Sequence, residues 1–181
     1  MMMSRRAAEI DRLCELASVG AGPAGAALGR LLGATVFSRA PLVRRAADAT
    51  HLDADCIGIV FDAEGDLSGR VAIVLRESEH RDAVALMVGR RDPDAGVAES
   101  ALRELGNILA SQTVSAIADS LGATIMLSVP TLVTESAAER LPAMFAERGA
   151  HTRIESELAD ADGARRGLLV FVPDPTKDTR A

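Results

Sequence analysis

The sequence has no tryptophan, no tyrosine and only four phenylalanines in 181 residues. Its core must be built from Leu, Val, Ile, Ala and Met, and it lacks the aromatic platforms on which single-stranded nucleic acids stack. A basic block is also missing and the net charge is −6, which argues against a phosphate-backbone partner; no nucleic-acid binding is expected. No apolar run approaches the roughly 18 residues needed to span a bilayer, so no membrane insertion is expected. The opening MMMSRRAAEI carries charge with no apolar core behind it. No signal peptide is read there, and the expected location is cytoplasmic. The two cysteines, Cys14 and Cys56, sit among apolar residues and read as buried free thiols of a reducing compartment. His51, His80 and His151 are far apart, show no metal-ligand spacing and read as surface residues.

What is present first suggests a cofactor loop. Residues 19–25 read VGAGPAG, with glycines at the G-x-G-x-x-G spacing of a flavin or nicotinamide enzyme. Such a loop must leave the carboxyl end of a buried strand, so that backbone N–H groups and a helix dipole meet the pyrophosphate. The preceding AAEIDRLCELAS carries Glu9, Asp11, Arg12 and Glu15 at helical spacing and holds no strand. The acidic ribose ligand expected further on is replaced by Ser38 and Arg39. The context argues against the dinucleotide reading, which stays as the weakest of the alternatives.

An internal repeat organises the chain. DRLCELASVGAGPAGAALGRLLGATVFSRAP (11–41) aligns without a gap on SALRELGNILASQTVSAIADSLGATIMLSVP (100–130), at an offset of 89 residues with 10 of 31 positions identical, including LGAT in both copies. Periodicity predicts a helix over 6–18, a break at Gly20 and Gly22, and a second helix over 23–32 begun by Pro23 and stopped by Gly33. A strand then starts in ATVFSRAPLV, followed by strands 56–63 and 68–77 across EGD and a helix over 79–90 with Ala83, Val84, Leu86 and Met87 inward. The second half repeats this order: a long helix about 95–120, a strand 123–133, a helix disturbed by Pro142, and strands 151–160 and 165–174 joined by the hairpin signal ADG. The expected fold class is α+β: an internally duplicated helix–helix–three-strand unit with pseudo-twofold symmetry and two long helices on a mainly antiparallel sheet. Repeat one covers about 6–90, repeat two about 95–174, and 175–181 reads as a frayed tail of a single domain.

The long helix of the second copy places Ser100, Glu104, Asn107 and Ser111 within an arc of about 60°, with Leu102, Leu105, Leu109 and Ala116 opposite. By itself this is what any solvated helix face shows. The spacing recurs, however. Copy two reads S-x-x-x-E-x-x-N, twenty-two residues, then P (Ser100, Glu104, Asn107, Pro130), and copy one reads D-x-x-x-E-x-x-S, twenty-two residues, then P (Asp11, Glu15, Ser18, Pro41).

This double pattern resembles the CheC family of chemotaxis phosphatases. ESALRELGNILAS is similar to the family's second motif, LASVGAGPAGAAL to its first, and the resemblance extends over the whole chain. It implies a CheC-like fold and hydrolysis of the aspartyl phosphate of a phosphorylated CheY-type response regulator. Asn107 would orient the water, offering both an acceptor and donors. Glu104 would dock to the receiver's active-site lysine. Ser100 and Ser111 would contribute partner contacts at the rim, and Pro41 and Pro130 would shape strand ends. The Mg²⁺ would belong to the receiver, leaving this chain without a cofactor or metal of its own. Asp11, Glu15 and Ser18 form a degenerate first site, because a serine hydroxyl lacks the paired donor–acceptor geometry of an amide. Pro23 also stands where the family usually has Asn in GAGN. The alternative is a non-catalytic CheC-like adaptor that docks a receiver, a CheD-type deamidase or the flagellar switch.

Overall fold

The computed structural model describes residues 2–49 and 52–176. The expectations for His51 and for 177–181 of the tail lie outside the described residues. Order along the chain is α1 (Met2–Leu32), β1 (Val36–Ser38), β2 (Leu42–Arg45), β3 (Cys56–Gly65), β4 (Gly69–Arg76), α2 (Glu77–Val88), α3 (Ala95–Leu121), β5 (Ile125–Leu127), β6 (Thr131–Val133), α4 (Ala137–Phe145), β7 (Thr152–Asp160) and β8 (Arg165–Pro173). A short 3₁₀ turn, Glu147–Gly149, precedes β7.

The strands form one antiparallel sheet of eight, in the order β1-β7-β8-β4-β3-β5, with β2 also on β7 and β6 also on β3. The two halves mirror each other. Two short strands hang on β7 at one edge, two on β3 at the other, and β4 pairs with β8 at the centre (Ile73 opposite Leu169). Each predicted first strand is therefore split in two, at Pro41 and at Pro130, because proline has no N–H to offer a ladder.

The repeated LGAT is the stop signal of both long helices. Gly33 (φ 62°) and Gly122 (φ 61°) are left-handed, a conformation that costs glycine no Cβ clash. The next amide then closes the helix end, Ala34 N–H to Gly29 carbonyl at 2.9 Å and Ala123 N–H to Ala118 carbonyl at 2.9 Å.

VGAGPAG, expected as a loop between two helices, lies inside α1, with Pro23 in the helix interior. Tertiary packing overrides the break. Ala21, Ala24, Ala27 and Leu28 are buried on both sides of the proline, so a turn there would expose one continuous apolar stripe. Gly20 serves contact rather than bending: a Cβ built on it would lie 2.6 Å from Thr113 Cγ2 on α3. The two long helices thus cross at a glycine.

α1, α2 and α3 cover one face of the sheet, over Ile59, Phe61, Ile73, Ile154, Leu158 and Leu169. α4 covers part of the other, over Val60, Val74, Val133, Leu168 and Val170. The strand plan is duplicated but the short helices are not: α2 follows β4, whereas α4 stands between β6 and β7. At the α4 side, Gly58 of β3 admits Leu141, whose Cδ2 would sit 2.6 Å from an added Cβ. The symmetry-related position on β7 holds Arg153, fully buried, paired with Glu155 at 2.7 Å and donating to the carbonyl of Ala46 at 2.6 Å. A buried guanidinium with a carboxylate and carbonyl partners is tolerated; without them it would not be.

On α2, Ala83 and Val84 are buried as expected and Met87 partly, but Leu86 is 57% exposed. It lies roughly 200° from Val84 around the helix, outside the packed stripe. His151 is exposed, whereas His80, expected at the surface, is half-buried. Desolvation pushes its pKa below the usual value, against a smaller opposing contribution from a hydrogen bond to the Arg76 backbone. Both cysteines are free; Cys56 is buried, but Cys14 only partly. Burial raises both thiols, assisted by Asp11 near Cys14 and Asp53 near Cys56.

Candidate functional site

The site is built on α3. Asp94 caps its N-terminus, its Oδ1 accepting from the Val97 N–H at 3.0 Å; this bond, with Arg90 close by, holds the Asp94 carboxyl below its usual pKa. From there the helix buries Leu102, Leu105, Leu109, Thr113 and Ile117, and Ala116 partly. Gly106 lets it lie close on the sheet, a Cβ there falling 2.4 Å from Ile59 Cγ2.

The opposite stripe carries Ser100, Glu104, Asn107 and Ser111, all exposed. Ser100 Oγ donates back to the Gly96 carbonyl at 2.9 Å, which occupies its proton and leaves its lone pairs to accept. No described residue hydrogen-bonds or pairs with the side chain of Glu104 or Asn107. A carboxylate and a carboxamide therefore stand one turn apart on a rigid, buried-backed helix, satisfied only by solvent.

In the first copy, Asp11, Glu15 and Ser18 form the matching exposed stripe on α1, above buried Leu13, Leu16 and Ala17. Pro41 is partly buried and follows β1; Pro130 is buried and precedes β6.

Two side chains that the sequence did not single out join this site. Arg103 lies about 40° around the helix from Asn107 and one turn before it. Its Nη1 donates to the Pro130 carbonyl at 2.6 Å and its Nη2 to Glu99 Oε1 at 2.8 Å. The Glu99–Arg103 pair was legible as an i,i+4 spacing; its link to Pro130 was not, because that contact crosses 27 residues. Val129, beside Pro130, is 81% exposed. Among the described residues no group of three or more His, Cys, Asp or Glu side chains could hold a metal ion. No helix among them is long and apolar enough to cross a membrane.

This duplicated sheet, with two motif helices laid side by side on one face, is the architecture of the CheC-like proteins. The profile of the CheC-like family matches residues 97–134, the segment that holds Ser100, Glu104, Asn107 and Pro130. The chain is 29% identical over 134 residues to the CheY-P phosphatase CheC of Bacillus subtilis, a match covering 67% of this chain and 64% of that protein. The match thus spans less than two thirds of the curated relative's length. Three solved structures share the fold. Thermotoga maritima FliY has a TM-score of 0.69 at 16% identity, covering 90% of this chain and 88% of that one. H. pylori FliM, in a complex with SpeE, has 0.63 at 8% identity, covering 92% and 88%. The Borrelia burgdorferi CheX–CheY–BeF3–Mg complex has 0.57 at 13% identity, covering 83% and 92%. The chain is thus similar in sequence to the CheC-like family over residues 97–134 and shares the fold of these three structures, as the resemblance implied.

Proposed function

We propose that this chain is a phosphatase acting on the aspartyl phosphate of a CheY-type receiver. One observation carries the proposal: Glu104 and Asn107 are exposed and unpartnered on α3, inside the segment that matches the CheC-like family. An acyl phosphate has a good leaving group, so catalysis needs an in-line water and balanced charge rather than a covalent intermediate. The Asn107 amide accepts a hydrogen bond from the water and aims its oxygen at phosphorus. The P–O bond to the receiver's aspartate breaks, the carboxylate leaves without protonation, and the water's proton ends on inorganic phosphate. Glu104, an anion, is repelled by the phosphoryl group and pairs instead with the receiver's active-site lysine, fixing register. Ser100 and Ser111 contribute hydrogen bonds at the rim, and Mg²⁺ is supplied by the receiver.

The test is phosphate release from a phosphorylated CheY-type receiver in Mg²⁺. Acceleration that disappears in Asn107→Ala supports the proposal. Receiver binding with unchanged dephosphorylation favours the adaptor reading instead, with a receiver, a CheD-type deamidase or the flagellar switch as the docked protein.

A further inference from the structure

The repeat places three differences between the copies at one spot. Asn107 aligns with Ser18, Arg103 with Cys14 and Val129 with Ala40. The last two concern the turn between β5 and β6, which runs Ser128-Val129-Pro130 beside α3. That turn is pinned from both sides. On the sheet side the Ser128 N–H donates to the Asp62 carbonyl at 2.9 Å, and the Asp62 N–H donates to Ser128 Oγ at 2.9 Å. On the helix side Arg103, itself braced by Glu99, holds the Pro130 carbonyl at 2.6 Å. At its tip stands the most exposed large apolar side chain among the described residues, Val129 at 81%.

Flexible tips tolerate exposed polar residues. A tip fixed by three hydrogen bonds, one of them to the helix that carries the unpartnered Glu104 and Asn107, presents a bare valine and is built for an apolar contact. In the first copy only the backbone bond on the sheet side is kept, the Arg39 N–H donating to the Glu157 carbonyl at 2.8 Å. Cys14 cannot reach a carbonyl as a guanidinium does, Ala40 offers a smaller apolar face, and Arg39 of that turn donates to the Gly163 carbonyl at 3.0 Å instead.

We infer that Val129 is a docking contact of the second site, seating in an apolar recess of the receiver next to the lysine that Glu104 engages, and that Arg103 is the positioning residue that holds it there. This rests on the reading of the site as a receiver phosphatase and names what on this chain selects the partner. It also adds a second reason for the first site to be inactive: besides the missing amide, it lacks the pinned apolar knob. Charge favours a receiver over a second copy of this chain, because Glu104 on the same helix is exposed and unpartnered and the chain carries a net charge of −6, so an identical surface would repel it.

The test separates KM from kcat. Val129→Asp is expected to raise KM for the phosphorylated receiver about tenfold, since seating one valine is worth about 1.5 kcal/mol, with kcat within about twofold and Val129→Ile near wild type. Arg103→Met should move KM in the same direction and Arg103→Lys should recover part of it, since an ammonium can still reach the Pro130 carbonyl. Both sites are at or near the surface, and far-UV circular dichroism with a melting curve verifies folding. Unchanged KM in Val129→Asp, with wild-type acceleration present, overturns this inference alone. A fall in kcat with KM constant overturns it too, because it would place Val129 in the chemical step. If the wild-type chain neither binds the receiver nor accelerates its dephosphorylation, the phosphatase reading fails and this inference fails with it.

Discussion

Replacing Gly22 with alanine is expected to stabilise the protein, and replacing Gly20 with alanine, two residues earlier, to destabilise it. Both glycines lie inside α1, so each substitution gains about 0.5–1 kcal/mol of helix propensity. At Gly22 nothing lies within 4 Å of the new Cβ, and that gain is the net effect. At Gly20 the Cβ falls 2.6 Å from Thr113 Cγ2, 3.0 Å from Ile117 Cδ1 and 3.1 Å from the Thr113 carbonyl oxygen. Thr113 is 3% exposed and its hydroxyl donates to the Leu109 carbonyl at 2.9 Å. Turning its methyl away therefore breaks a buried hydrogen bond, and the alternative is to push α1 off α3. Overpacking of this kind costs about 1–3 kcal/mol, which leaves Gly20→Ala about 1 kcal/mol less stable after the propensity gain. The two variants should differ by about 2 kcal/mol, or about 4–8 °C in melting temperature for a chain of this length. Differential scanning calorimetry on both, at one protein concentration, measures the gap. If both substitutions are neutral, VGAGPAG is a loop after all and the helix crossing has been misread.

Pro23→Ala should also raise the melting temperature, because proline in a helix interior leaves the Val19 carbonyl without its helical partner and costs about 3 kcal/mol; a lower melting temperature would contradict the continuous helix. Asn107→Ala should abolish accelerated phosphate release, whereas Ser18→Ala should leave it nearly unchanged; equal losses would refute the assignment of activity to the second copy. His80 should make the protein less stable between pH 7 and pH 5. Its folded pKa lies below the usual value, so the unfolded chain takes up the proton first, and stability falls as pH drops through about 6.5 toward the folded pKa. His80→Gln should flatten this slope in urea titrations, and a variant with the same slope would remove His80 as its cause. Gly58→Val should destabilise by about 1–3 kcal/mol, because its side chain would enter the space of Leu141; a urea midpoint equal to wild type would show that α4 does not press on β3.

The family resemblance was readable because its carriers are local. Ser100, Glu104, Asn107 and Ser111 share a helix face through 3.6-residue periodicity alone, and the structure leaves all four exposed as that period requires. LGAT occurs twice because both long helices must end the same way, on a left-handed glycine. The expectation that the first site is degenerate comes from comparing Ser18 with Asn107 and needs no coordinates.

Whether a glycine bends a chain or admits a neighbour depends on residues far away in sequence, so the sequence could not tell that Gly20 meets Thr113 or that Gly58 meets Leu141. The same holds for Pro23: its local preference for a helix start lost to an apolar stripe that only burial against α3 and the sheet makes worth keeping continuous. Likewise α4 has no second copy: it meets Gly58 of β3 through Leu141 and the symmetry-related Arg153 of β7 through Phe145, an asymmetry the repeat did not show. At the site itself, sequence placed the carboxylate and the amide. Tertiary structure alone placed the Arg103 guanidinium on the Pro130 carbonyl, and with it the turn that presents Val129, because that bond joins a helix to a strand end across the fold.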